Sequence, residues 1–196
     1  MKGNTRQQIL ERVALEVLQK GFYSTRADLV IKELKVSKGA LYHYFPNKEA
    51  LGNALIDEII APFLRKRWVT PLLEPKGNPC DVIVDIFKEI LQNLNEQQVK
   101  YGCPFNNLVQ EFATVNEGFR IRLEVLLDEI CETMANALQK GQEQELIYYV
   151  DAHKTAQFLI ASVEGAYGMA KLKQSSEFVK HTFENLITYI DSLKRK

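Results

Sequence analysis

Apolar side chains recur at three- and four-residue intervals along almost the whole 196-residue chain, and nowhere do they alternate in a pattern that would pair strands. Such a chain can bury its apolar surface only by packing helix on helix, so an all-α fold is expected. Residues 6–20 carry Ile9, Leu10, Val13, Ala14, Val17 and Leu18 at helical spacing, and Gly21 sits where a helix stops. Ser24 or Thr25 is expected to cap a second helix over 26–34, with Leu29, Val30 and Leu34 as its apolar face. A turn at Val36-Ser37, with Ser37 as N-cap, leads into a third helix at Lys38–Tyr44, ended by Pro46-Asn47. Asn47 then caps a longer helix bearing Leu51, Leu55, Ile59 and Phe63, which Pro62 is expected to kink or end.

Three prolines and Gly77 between positions 71 and 79 read as a linker. Helical spacing resumes over 81–94, breaks at Tyr101-Gly102-Cys103-Pro104 and returns from Phe105 to about Thr114. A long helix over 116–140, one capped by Asp151 and running to Lys173, and a last one from Ser175 or Ser176 to Leu193 complete about nine helices. No internal repeat or low-complexity tract is present.

Hydrophobic residues make up 46% and charged residues 26%, enough to build a buried core. The apolar runs are short and broken by charge, so no membrane span is expected, and the first residues lack the apolar stretch of a signal peptide. A cytoplasmic location follows as the expectation. Cys80, Cys103 and Cys131 are odd in number and widely spaced, and they form no metal-ligand spacing with His43, His153 or His181. Neither a disulfide framework nor a metal site is expected. No Ser-His-Asp order, glycine-rich phosphate loop or nucleotide fingerprint appears, so neither an enzyme nor a cofactor is expected.

Charge is unevenly spread beneath a net of zero. Residues 1–50 hold nine Lys/Arg against five Asp/Glu, a net of +4, while residues 51–196 hold 16 basic and 20 acidic residues, a net of −4. A basic first quarter on an acidic body suits one end touching a polyanion. Within that quarter, Ser37–Lys48 packs small, basic and aromatic residues around one short helix directly behind a second short amphipathic segment. Two short helices joined by a tight turn are how a helix-turn-helix unit reads DNA.

Residues 5–51 resemble the DNA-binding domain of the tetracycline-repressor (TetR/AcrR) family of bacterial transcription regulators. The resemblance rests on Ile9-Leu10, Ala14, Lys20-Gly21-Phe22, Thr25, the run from Val36 to Phe45, and Asn47-Lys48-Glu49-Ala50-Leu51, at the family's spacing and without insertion. Two positions depart from the pattern. Lys35 stands where the family usually has Gly in the turn, and Ile31 where it has a small residue. Either Lys35 takes a left-handed backbone at a cost of about 1 kcal/mol, or the turn differs locally.

The resemblance implies an N-terminal DNA-binding domain (1–50) and a ligand-binding, dimerising helical domain (51–196). The expected DNA contacts are Thr25, Arg26, Ser37, Lys38, Gly39, Ala40, Tyr42, His43, Tyr44 and Lys48. Thr25 and Arg26 lie at a helix start that favours phosphate, and Lys38 can reach a base edge or a phosphate. Gly39 and Ala40 let the helix enter the major groove, while Tyr42, His43 and Lys48 offer donors to phosphates. Tyr44 suits packing and phosphate contact equally, and Leu41 and Phe45 are expected in the core.

A homodimer through the last two helices (about 151–193) is expected, because such a reader needs two half-sites about 34–36 Å apart. Gly165 and Gly168 would allow close helix approach. An apolar or aromatic small-molecule effector is expected to meet Phe63, Phe87, Leu91, Phe105, Leu108, Phe112, Phe119, Phe158 and Tyr167. Asn106, Asn107, Gln110, Glu111 and Glu164 are its candidate polar contacts. The run from Gly102 to Glu111 is similar to a Gly-Cys motif in one branch of these regulators, some of which sense electrophiles or oxidants through cysteine. By that likeness Cys103, next to a helix start that would favour thiolate, is a possible sensor.

Overall fold

The computed structural model describes residues 5–195, which form ten continuous helices; Lys2, one of the nine basic residues of the first quarter, lies outside them. They are α1 (Thr5–Lys20), α2 (Ala27–Glu33), α3 (Lys38–Tyr44), α4 (residues 48–73), α5 (Pro79–Gln92), α6 (Glu96–Tyr101), α7 (Pro104–Phe112), α8 (Glu117–Glu143), α9 (Ala152–Lys173) and α10 (Glu177–Ser192). The helix not expected from sequence is α6, nucleated by a reciprocal capping box between Asn95 and Gln98 and closed by Gly102 at φ +75°. Among the described residues the only β-type pairing is one antiparallel bridge, Ile147 with Lys194.

The prolines behave differently from expectation. Helix α4 continues through Pro62 because a π-helical turn, Ile56–Ile60, precedes it, and the Ala61 N–H donates to the Ile56 carbonyl five residues back. Widening the turn accommodates a ring that would clash with an α-helical carbonyl. A second π-turn, Arg65–Val69, precedes Pro71, which falls inside the terminal segment Thr70–Leu73. The linker is therefore confined to residues 74–78, where Gly77 has φ +86°. Asn78 then caps α5 by accepting the Cys80 N–H, with Pro79 in the first turn.

The chain divides into two compact units. The first comprises residues 5–63 together with Pro104–Glu124, and the second Leu64–Cys103 with residues 125–195. In the first, Ile9, Leu10, Val13 and Val17 of α1 form the floor of a three-helix head and are buried with Val30, Ile31, Leu41 and Phe45. Helix α2 turns Val30 and Ile31 inward, leaving the expected Leu29 exposed and Leu34 half-buried. Gly52 on α4 is the point of closest approach. A Cβ there would lie 2.5 Å from the Phe119 ring and 2.8 Å from the Phe22 ring, so only glycine admits these two aromatics.

In the second unit, Ile83, Val84, Ile86, Phe87 and Ile90 of α5 are buried, as are Val179, Phe183, Leu186 and Ile190 of α10. Phe87 is ringed by Trp68 (6.0 Å between centroids) and Phe183 (5.3 Å), and Tyr167 meets Phe183 edge-on at 6.3 Å.

Candidate nucleic-acid interface

Helix α3 is short, and its two faces are sharply different. Leu41 and Phe45 are buried, and the Arg6 guanidinium lies 5.0 Å from the Phe45 ring centroid. Lys38, Gly39, Tyr42 and His43 are exposed, with Tyr42 58% accessible. Ser37 caps the helix by accepting the Ala40 N–H at 3.1 Å, so its hydroxyl oxygen serves the backbone. A Cβ on Gly39 would touch nothing closer than Ser37 Oγ at 3.9 Å, which leaves the helix surface open at that point. Tyr44 is half-buried, its ring edge-on to His43 at 5.2 Å. Lys35, in the turn before α3, has φ +56°, the left-handed geometry that its position in the turn demands.

Three expected contacts are placed differently. Thr25 is buried and its hydroxyl donates to the Gly21 carbonyl at 2.7 Å, so the side chain closes its own loop. Neither Ser24 nor Thr25 caps α2; the N-cap is Arg26, which makes no side-chain cap and instead pairs with Asp28 at 3.0 Å. Lys48 is exposed at the start of α4, yet its ammonium donates to the carbonyls of Tyr23 (2.7 Å) and Thr25 (3.3 Å). Arg26, Lys38, Tyr42 and Lys48 nevertheless border one cleft of about 340 Å³, together with Thr25, Asn47 and the apolar floor of Val13, Leu41 and Leu51. Three cations against one acid, Asp28, leave this concave surface net positive, which suits a polyanion.

The nine expected effector contacts are divided between the two units. Phe105, Leu108, Phe112 and Phe119 are buried in the first unit, where Phe112 and Phe119 stack at 4.4 Å and both meet the Phe22 ring edge-on. Phe112 and Phe119 thus pack against the loop after α1. Phe63 and Phe158 are 40% and 51% exposed, and Phe158 meets Tyr189 edge-on. Phe87 and Tyr167 share the aromatic cluster of the second unit, and Leu91 borders a cleft of about 720 Å³ with Val99, Lys100 and Ser175. Helical periodicity marks which face is apolar, but not which neighbour it meets.

Cys103 is buried immediately before α7, and its thiol donates to Glu164 Oε1 at 3.4 Å. Burial pushes the Glu164 carboxyl up to about 7, with the Cys103 hydrogen bond acting in the opposite direction. Burial likewise pushes the Tyr167 hydroxyl up to about 12, opposed by the charge of Arg67. Cys80 is raised to about 11 by burial, and burial also raises Cys131. Among the described residues no group of His, Cys, Asp and Glu is arranged to hold a metal ion, and no helix is long and apolar enough to cross a membrane.

Comparison with known proteins adds lineage to this geometry. The family described as "Bacterial regulatory proteins, tetR family" matches residues 10–55, and that described as "Tetracyclin repressor-like, C-terminal domain" matches residues 79–186. The HTH-type transcriptional repressor NemR of Escherichia coli (strain K12) is 27% identical over 192 residues, spanning 97% of this chain and 94% of the relative. The transcriptional regulator AcuR of Cereibacter sphaeroides is 30% identical over 172 residues, spanning 85% and 76%. The crystal structure of the reduced form of E. coli NemR superposes with a TM-score of 0.80 at 26% identity over 98% of both chains. A TetR transcriptional regulator from Chloroflexus aurantiacus J-10-FL gives 0.83 at 28% identity over 97% and 96%.

Proposed function

The chain belongs to the tetR family of bacterial regulatory proteins, and from that premise we propose that it is a cytoplasmic, nucleoid-associated repressor. In this reading it binds operator DNA as a homodimer and is released by a small molecule. The observation that carries the reading is the two-faced α3, with Leu41 and Phe45 buried while Lys38, Gly39, Tyr42 and His43 face outward. Lys38 would reach a base edge or phosphate, Gly39 and Ala40 would admit the helix to the groove, and Tyr42, His43 and Arg26 would hold phosphates.

Dimerisation through α9 and α10 is supported by an exposed stripe along α9. Phe158, Ala161, Gly165, Met169 and Leu172 succeed one another at intervals of three and four residues, and all are exposed. A Cβ on Gly165 or Gly168 would meet nothing within 4 Å, which leaves room for a second helix. For the effector, the aromatic cluster of Phe87 and Tyr167 supports an apolar or aromatic molecule in the second unit. Its binding would shift the helix that begins after Asn47 and change the separation of the two α3 helices. A coupling of about 1–3 kcal/mol would change operator affinity some 5–150-fold. Gel shifts on DNA selected from a random library, with and without candidate apolar inducers, test this. Retarded complex that dissociates with inducer is expected; no selected DNA, or affinity indifferent to every inducer, counts against it.

A second reading is favoured by Cys103 and Glu164. Here, above pH 7 where Glu164 is ionised, the thiol passes its proton to the carboxylate, and the thiolate attacks the β-carbon of an electron-poor alkene, forming a C–S bond as the C=C π pair moves onto the neighbouring carbon. The proton then returns from Glu164 to the carbanion of the adduct. The 3.4 Å contact supplies the base. Loss of operator binding on treatment with N-ethylmaleimide in the wild type, retained in Cys103→Ser, would support this reading; equal response in both would refute it.

A further inference from the structure

Two charged side chains close on the loop of residues 21–26 that joins α1 to α2. Glu111, near the end of α7, presents both carboxylate oxygens to it. Oε2 accepts the backbone N–H of Phe22 at 2.7 Å and Oε1 that of Tyr23 at 2.6 Å. Lys48, the first residue of α4, donates to the Tyr23 and Thr25 carbonyls, and its ammonium lies 5.3 Å from the Phe22 ring centroid and 5.8 Å from that of Tyr23. One ion therefore takes the loop's donors and the other its acceptors. Gly21 makes this possible twice over: its φ is +83°, and a Cβ there would lie 3.1 Å from Glu111 Oε2.

The loop governs the placement of the helices behind it. Helix α2 has seven residues and no side-chain cap, so its start is fixed by the backbone that enters it. Helix α3 follows after a four-residue turn and packs on α2. Hydrogen bonds to a carboxylate or an ammonium are roughly twice as strong as neutral ones. We propose that Glu111 is a positioning residue for operator binding, acting with Lys48 as a clamp that sets the loop, and through it the α2–α3 pair, in the DNA-reading pose. The proposal rests on the operator-binding reading above.

The test uses the full chain and the duplex that the wild type selects from a randomised library. Binding is followed by fluorescence anisotropy across a salt series for the wild type, Glu111→Gln and Glu111→Ala. Gln keeps the size of Glu but turns an NH2 toward one of the two backbone donors. For both variants we expect operator binding about tenfold weaker or worse, as one or two charge-assisted bonds are lost. The salt dependence should also be shallower, because a misplaced head makes fewer phosphate contacts. Amide exchange should quicken at Phe22, Tyr23 and their neighbours alone, and the melting temperature should fall by only a few degrees. Affinity within about twofold of the wild type overturns the clamp. Weaker binding with an unchanged salt slope and faster exchange throughout the first unit overturns it too, since Glu111 would then merely support folding. A wild type that selects no DNA refutes the operator reading itself, and the clamp falls with it.

Discussion

Replacing Glu164 by Gln should remove a large pH dependence from the stability of this protein. The Glu164 carboxyl is held at about 7 in the folded chain against an ordinary 4.5, chiefly by burial. Below pH 4.5 both folded and unfolded chains carry the proton, and nothing is lost. Between pH 4.5 and 7 the unfolded chain releases it while the folded chain keeps it, so stability falls with rising pH, by up to about 1.4 kcal/mol per pH unit. Above pH 7 the loss is complete and amounts to about 3 kcal/mol. Gln has the same shape, keeps an oxygen for the Cys103 thiol and does not titrate. Urea unfolding of both proteins from pH 4.5 to 8.5 isolates this group, because the other titrations are common to both. The difference in unfolding free energy should be near its minimum at pH 4.5 and move by about 3 kcal/mol in favour of Glu164→Gln by pH 8. Parallel stability curves would refute the account of a carboxyl kept protonated by its surroundings.

Two further substitutions probe the head. Gly52→Ala should destabilise the first unit by about 1–3 kcal/mol, although alanine ordinarily favours a helix, because its Cβ would fall 2.5 Å from the Phe119 ring; thermal unfolding followed by circular dichroism reads this, and an unchanged or raised midpoint would contradict it. Lys35→Gly should raise stability by about 1 kcal/mol, since the left-handed φ of +56° is strained for a residue with a Cβ; no gain in the urea midpoint would show that the turn carries no such strain.

The recognition segment was legible because its signal is local. Ser37 caps α3 from its own first turn, and the Leu41/Phe45 spacing fixes the buried face within a single helix. Lys35 was legible through the resemblance, which sets a glycine in that turn and left two outcomes open; its φ of +56° is the left-handed one. Long-range placement was less legible. The apolar face of α7 was evident, but nothing near it in sequence says that Phe112 meets Phe22, ninety residues earlier. Glu111 suffered the same fate: an acid among cavity candidates in sequence, it binds backbone donors 88 and 89 residues away. Pro62 and Pro71 misled for a local reason, because two π-turns absorb the rings and let α4 continue to Leu73. Lys48 was placed correctly at a helix start, yet its carbonyl partners arise only once the loop after α1 folds back.

A hydroxyl-radical footprint of the wild-type protein on its selected duplex tests the central claim, that two α3 helices of a homodimer read adjacent turns of DNA. Two protected patches on one face of the duplex, centred about 10 base pairs apart and lost in Lys38→Ala, are the predicted result. A single patch, continuous protection without register, or a footprint indifferent to Lys38→Ala would contradict it.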